Sequence, residues 1–301
     1  MPAAPRLSVA ERLSEDRRAA VRALAAAAGE ADGTPPLSEQ ILLNLRHEGA
    51  DVLHVLAEDP DGGLVGYAQL DRSVGDGGVG ELAVYPAHRR RGIGAALLAV
   101  LIERAGAPLR VWAHGEHPAA QRLAERYGFS RSRVLWQLRR SLIEPLPPAE
   151  FSDDVRVRAF ETGRDEAEFL RVNNAAFDWH PEQGGWDVEQ VRQRVAEPWF
   201  DPDGFLLAVD ADDRLLGFHW TKVHPAAGSA PAIGEIYVLG VDPGARGRRL
   251  GSALTLAGLR HLRDRGLDAV MLYVEADNAA AVKVYTDLGF TLWHSDVMYL
   301  R

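Results

Sequence analysis

The feature that most constrains this 301-residue chain is an internal repeat: VYPAHRRRGIGAALL (84–98) returns as VDPGARGRRLGSALT (241–255), with Pro86 and Pro243 157 residues apart. A period that long describes two domains, and two cores of about 150 residues each fit the size at which single cores stop growing. Residues 144–150, EPLPPAE, hold three prolines in four positions. Such a run excludes helix and central strand and favours an extended spacer. The expected domains are residues 1–143 and 151–301, with 144–150 as the linker.

Periodicity and turn residues give each half the same order: strand, strand, strand, helix, strand, helix, strand. In the first half the strands are expected at 54–59, 64–71, 79–85, 109–114 and 134–140, with helices from about Arg91 and over 118–128. In the second they fall at 205–211, 215–223, 234–241, 269–276 and 290–300, with helices over about 249–265 and 278–289. Helical segments such as 39–46 and 164–177 open the halves. The fold class is α/β (α+β), a mixed sheet flanked by helices in each half. The halves are unequal, because Gly128 and Gly289 lie 161 residues apart, so about four residues have been gained in the second half after Pro243.

Composition narrows the chemistry. A formal charge of −9 would repel nucleic acid unless a local basic patch held it, and no apolar run is long enough to span a bilayer. The Ala-rich start is broken by Glu11, Glu15, Asp16, Arg17 and Arg18, unlike a signal peptide, so the expected location is cytoplasmic. The chain has no cysteine, which removes disulfides, thiolate metal sites and a covalent thiol nucleophile. His114 and His117, the closest histidine pair, lack the spacing of a zinc helix, and no metal is expected.

A strand, a proline, a short Arg/Gly loop and a helix start together present backbone N–H groups and a helix dipole to a diphosphate, and arginines add forked donors. The loop is neither G-x-G-x-x-G nor G-x-x-x-x-G-K-[ST], so neither a Rossmann nor a P-loop nucleotide site is supported. The combination V-x-P-x-x-R-x-x-G-x-G, followed some 35 residues later by an amphipathic helix ending in Gly-Phe, resembles the Gcn5-related N-acetyltransferase (GNAT) superfamily, in both halves. The resemblance implies that each loop grips the pyrophosphate of acetyl-CoA. Arg89, Arg90, Arg91, Gly92, Ile93 and Gly94 match the pattern completely. In the second half Arg246, Gly247, Arg248, Arg249, Leu250 and Gly251 place Arg249 where the first pattern glycine belongs and a glycine two positions earlier. A negative φ at Arg249 is expected to let this loop keep its shape.

By the same resemblance acetyl-CoA also contacts Leu82, Ala83 and Val84 in the first half, and Leu239, Gly240, Val241, Ser252, Asn278, Ala279, Ala280, Ala281, Val282 and Lys283 in the second. Tyr285 lies on the Asn278-started helix where the superfamily carries its general acid, and Glu235 is the implied base. At the repeat offsets their partners are Ala124 and Gly78, so the second half is the expected catalytic one and the first an expected non-catalytic acetyl-CoA binder; Glu81 lies three positions from Gly78, on the opposite strand face. Gly240 is the expected bulge that frees an N–H for the thioester oxygen. Without a cysteine, transfer is expected to be direct, in a ternary complex.

The strings HPEQGGW (180–186), GEIYVLGVDP (234–243) and LYVEADNAAAVKVYTDLGF (272–290) are similar to a tandem actinobacterial branch of this superfamily whose acceptor is the cysteinyl amine of a cysteinyl-glucosaminyl-inositol. That resemblance implies substrate contacts at Glu39, Glu182, Lys222, Glu235 and Tyr273 and a small-molecule acceptor; a monomer is expected. Two alternatives stay open: a tandem acetyltransferase for an aminoglycoside-like or other small amine, and a CoA-binding pair without turnover.

Overall fold

The computed structural model describes residues 5–46, 51–73, 77–178, 183–226 and 231–301. The chain forms two compact units, Met1–Leu135 with His294–Arg301, and Trp136–Trp293. The division therefore falls within two long strands, β6 (Ser130–Ser141) and β12 (Thr291–Leu300), each beginning in one unit and ending in the other. Residues 144–150, read above as a spacer, have no regular structure and lie inside the second unit, where Leu146 joins its core.

In the first unit the sheet runs in sequence order: β1 (Arg6–Ala10), β2 (Val52–Glu58), β3 (Leu64–Asp71), β4 (Val79–Val84) and β5 (Arg110–Ala113). Its pairs are antiparallel except β4 with β5, which is parallel. Then β12 enters, with Val297 opposite Ala113 and Leu300 opposite Arg110, antiparallel. Helix α3 (Ile93–Ala105) places Ile93, Leu97 and Leu101 against Val55, Val65 and Leu70 on one face. On the other face α1 (Glu15–Asp32) and α2 (Glu39–Arg46) set Val21, Leu24 and Ile41 against Leu56 and Tyr67. A nine-residue helix of this unit, α4 (Pro118–Arg126), follows β5.

The second unit repeats the scheme with β7 (Arg156–Ala159), β8 (Phe205–Val209), β9 (Leu215–His224), β10 (Ile233–Val241) and β11 (Ala269–Glu275) in order, β10 with β11 again parallel. Helix α7 (Leu250–Asp264) buries Leu259 and Leu262 against Ile236, Val270 and Leu272. The opposite face, under α5 (Glu166–Ala176) and α6 (Val188–Val195), is aromatic: Phe169 meets Phe205 and Phe218 edge-on, and Phe205 stacks on Trp220. Helix α8 (Ala279–Asp287) comes after β11. The elements of this half are longer after the loop, α7 having 15 residues against 13 in α3 and β11 seven against four in β5.

A buried charge cluster fastens β12 into the first unit. The imidazole of His114 lies 2.9 Å from Asp296 through Nδ1 and 3.3 Å from Glu81 through Nε2. The Gly115 amide donates to Asp296 at 2.9 Å and the Ser38 amide to Glu81 at 2.7 Å. Burial alone would lower the imidazole's proton affinity, but the Glu81 charge and the Asp296 hydrogen bond outweigh it and raise His114 from 6.5 to about 10. A value raised on folding contributes stability that is full below pH 6.5 and is lost as pH climbs toward 10. Thermal unfolding followed by circular dichroism is expected to show a melting temperature that falls across this range. His114→Gln, which leaves buried carboxylates without their cation, is expected to cost about 3 kcal/mol near neutrality and to flatten the alkaline decline; equally sloped curves would refute the assignment.

Candidate active site

Both repeat loops leave their strand through a proline-started 3-10 turn, Pro86–His88 in one and Pro243–Ala245 in the other, and reach the helix through two left-handed residues. In the first loop these are Arg90 (φ 65) and Gly92 (φ 83); in the second they are Gly247 (φ 81) and Arg249 (φ 59). Arg249 thus does not take the negative φ expected from the sequence. It keeps the left-handed conformation of the residue it replaces, at a cost of roughly 1–2 kcal/mol for an L-residue. Each loop holds one glycine and one arginine at the two left-handed positions, in opposite order. A Cβ placed at Gly92 or Gly247 meets nothing within 4 Å, so the side chain itself is accommodated at either position.

The helices that follow start without help. Neither Gly92 before α3 nor Arg249 before α7 supplies a side-chain cap, and neither first turn carries an acidic residue. Their first amides are free to receive an anion. The arginines divide in two. Arg89 grips Asp32 through both terminal nitrogens, at 2.6 and 2.7 Å, and Arg248 reaches Asp154 at 2.6 Å and Ser152 at 3.1 Å. These two brace the loops within their own units. Among the described residues the side chains of Arg90, Arg91, Arg246 and Arg249 make no ion pair or hydrogen bond, and their guanidinium groups are available to phosphate. Asp242, at the start of the second loop, is penalised by burial, yet the Arg171 guanidinium and the Gly244 amide hold its carboxyl below the ordinary range.

Beyond each loop two parallel strands part. Paired residues end at Gly80–Val111 in the first unit and Ile236–Leu272 in the second, although β4 continues to Val84 and β10 to Val241. In the first unit the gap opens into a cavity of about 730 Å³, lined by Leu82, Ala83, Val84, Arg89, Arg90, Gly92, Ile93 and Gly94 and walled by β5 and α4. Parted strands, uncapped helix amides and free arginines fit the extended arm and diphosphate of an acyl-CoA.

The catalytic candidates depend on a bulge that the sequence concealed. On β10 the register slips between Ile236 and Val238, leaving Tyr237 as the extra residue. Gly240, the expected bulge, is an ordinary rung opposite Phe218, and a Cβ there would come within 2.7 Å of that ring. Because of the slip, Glu235 stands opposite Lys222 as Val79 stands opposite Asp71. Its counterpart is therefore Val79 and not Gly78. Glu81 also moves: it corresponds to Val238 and shares the face of Val79, so the first unit does carry a carboxylate on the matching side. That carboxylate is committed to His114 and the Ser38 amide.

Glu235 is 8% exposed and accepts a hydrogen bond from His224 at 2.6 Å. Lys222, also buried, sets its ammonium 4.3 Å from the Trp199 ring and 5.1 Å from Tyr237. Arg194 donates to the Tyr237 hydroxyl at 2.9 Å and covers Trp186 at 4.3 Å. Tyr273, on β11 and a little over one-third exposed, accepts from Gln137 at 2.8 Å. On the other face of β10, α8 brings Tyr285 into the cluster that includes Leu239, with its ring edge-on to Phe290. Burial pushes the Tyr285 phenol up to about 12, so it keeps its proton at neutral pH. The Asn278 side chain caps α8 at the Ala281 amide, 3.1 Å away, in the place His117 fills for α4. The offset of 161 holds through this helix, and Ala124 is the buried counterpart of Tyr285. Glu39 lies in the first turn of α2, in the first unit. Glu182 lies outside the described residues.

The fold and these loops define a tandem acyl-CoA-dependent N-acyltransferase. Residues 172–290 match the acetyltransferase (GNAT) family and residues 50–131 a GNAT acetyltransferase domain. A mycothiol acetyltransferase of Nocardia farcinica is 55% identical over 293 residues, covering 96% of this chain and 95% of the relative. One of Thermobispora bispora is 54% identical, with 94% and 95% covered. Among solved structures, a GCN5-related N-acetyltransferase from Sphaerobacter thermophilus is 26% identical with a TM-score of 0.71, over 98% of this chain and 95% of that one. A tandem GNAT protein from the clavulanic acid pathway has the same fold, with a TM-score of 0.72, 20% identity and 98% of both chains covered. The chain belongs to the GNAT acetyltransferases, in the mycothiol acetyltransferase family. It is an N-acetyltransferase that uses acetyl-CoA.

The mirrored loops give a direct test of conformation against residue type. Exchanging the pair in the first loop, Arg90→Gly with Gly92→Arg, is expected to leave the unfolding free energy within about 0.5 kcal/mol, since one glycine and one arginine still fill the left-handed positions. Gly92→Val alone, branched at Cβ, is expected to cost roughly 1–2 kcal/mol in urea unfolding. A large loss in the exchanged variant would show that the two positions are not equivalent.

Proposed function

We propose that this chain acetylates the cysteinyl amine of 1D-myo-inositol 2-(L-cysteinylamino)-2-deoxy-α-D-glucopyranoside, giving mycothiol and CoA, with chemistry confined to the second unit. The observation that carries the reading is the pairing of a buried carboxylate and a protonated phenol on opposite faces of β10, where it parts from β11. Glu235, on one face, accepts a proton from the acceptor's ammonium, directly or through water. The free amine then attacks the acetyl carbonyl, and main-chain N–H groups of 239–241 stabilise the developing oxyanion. Tyr285, on the other face, gives its proton to the departing thiolate. The amides at the start of α7, with Arg246 and Arg249 beside them, hold the diphosphate.

Lys222, Tyr273 and Glu235 lie on one side of the sheet and suit a hydroxyl-rich, amine-bearing acceptor; Glu39 and Glu182 are proposed to add contacts to it. The absence of cysteine excludes an S-acetyl-enzyme and supports direct transfer in a ternary complex. The first unit, whose Glu81 is tied up and whose Tyr285 counterpart is Ala124, holds acetyl-CoA without turning it over. The protein acts as a cytoplasmic monomer; no helix of the described residues is long and apolar enough to cross a membrane.

Release of CoA with the cysteinyl-glucosaminyl-inositol and with a panel of other amines tests the acceptor. The highest kcat/KM is expected for the former, and equal rates on an aminoglycoside would overturn that choice. Glu235→Gln and Tyr285→Phe are each expected to slow transfer about 100-fold while retaining acetyl-CoA affinity. Gly92→Asp, which puts bulk and negative charge into the first loop, is expected to weaken cofactor binding there and leave turnover within about twofold, measured by counting bound acetyl-CoA in native mass spectra beside the rate.

A further inference from the structure

We infer that His224 is a positioning residue for Glu235: its ring nitrogen fixes one carboxylate oxygen so that the other is presented to the acceptor amine. This inference rests on the reading of Glu235 as the base. The contact is short, 2.6 Å from Nε2 to Oε2. Two lone pairs cannot meet at that distance, so a proton lies between them, and with the carboxylate ionised Nε2–H is the donor.

Strand geometry explains why this side chain holds the base. Lys222 stands directly opposite Glu235, but its ammonium is turned onto the rings of Trp199 and Tyr237. His224, two residues further along β9, pairs with Ile233 and lies diagonal to Glu235 on the same face. From there an imidazole spans the gap. The Glu235 side chain is 10% exposed and that of His224 35%, so the ring lies at the open end and the carboxylate at the closed end. A buried carboxylate with one oxygen pinned has a single rotamer and a single free oxygen, which is the preorganisation a proton acceptor needs.

The first unit provides the contrast. Counting along the paired strands, the position of His224 there is Ser73, whose hydroxyl and amide both turn back to Asp71. No ring reaches the β4 face from that position, and the residue opposite Asp71 is Val79. His224 thus accompanies Glu235, and where Glu235 is replaced by Val79 the position of His224 is a serine.

A positioning residue acts only through the group it holds, and a double-mutant cycle on the full chain reads that dependence. His224→Ala is expected to lower kcat about tenfold with the KM for acetyl-CoA unchanged, and His224→Gln, which offers an amide N–H, to regain most of the loss. Added imidazole is expected to speed the Ala variant and leave the parent unaffected. In a Glu235→Gln background, His224→Ala is expected to slow the enzyme no further. Parental turnover in His224→Ala, or a tenfold loss that persists in Glu235→Gln, would overturn the inference. If Glu235→Gln itself has the parental rate, the reading of Glu235 fails first, and the cycle separates that result from a failure of His224 alone.

Discussion

The shape of both loops depends on turning a strand into a helix without using up the helix's first amides. Two left-handed residues accomplish the turn. An aspartate or serine at the N-cap would satisfy an orphan amide and close the anion site, so the loops end on Gly92 and Arg249, which cap nothing. The constraint is on backbone conformation, and residue type follows from it loosely. One glycine per loop is enough, and the two loops place it at different points.

Once the loops are equivalent, the difference between the units moves to the face of the sheet opposite α3 and α7. The first unit fills that face with a charge cluster: Glu81, His114 and Asp296 satisfy one another, with amides from Ser38 and Gly115 completing the set. Both carboxylates there are already engaged. The second unit leaves a carboxylate held by one histidine, beside a lysine resting on aromatic rings. Both faces carry buried charge, and they differ in how many partners hold their carboxylates.

The sequence made the repeat, the order of strands and helices from β2 onward in the first unit and from β8 in the second, and both loops legible, because apolar periodicity and turn residues report local structure directly. It did not show β1 or β7, whose five- and four-residue strands carry charged or half-exposed positions and little alternation. Nor did it show the bulge at Tyr237. A bulge is a property of the pairing between strands, and in GEIYVLGV glycine was the only visible irregularity. That one slipped residue displaced the counterpart of Glu235 by one position and put Glu81 on the wrong face. His224 was missed for the same reason: its relation to Glu235 is diagonal across two strands, and only the register reveals it. Two histidines of HWTKVH were visible, yet His219 turns to the Leu254 carbonyl at 2.8 Å and only His224 meets the carboxylate.

The strand that closes the first unit is made last. Residues 1–135 leave the ribosome with β5 as an unpaired edge, and its partner, within 294–301, follows about 160 residues later. At roughly 5–20 residues per second that interval lasts on the order of 10–30 s. During it His114 has no Asp296, and the open edge can pair with any passing strand. The order of completion therefore runs opposite to the order of the halves, and the unit encoded first must finish folding after the other has been made.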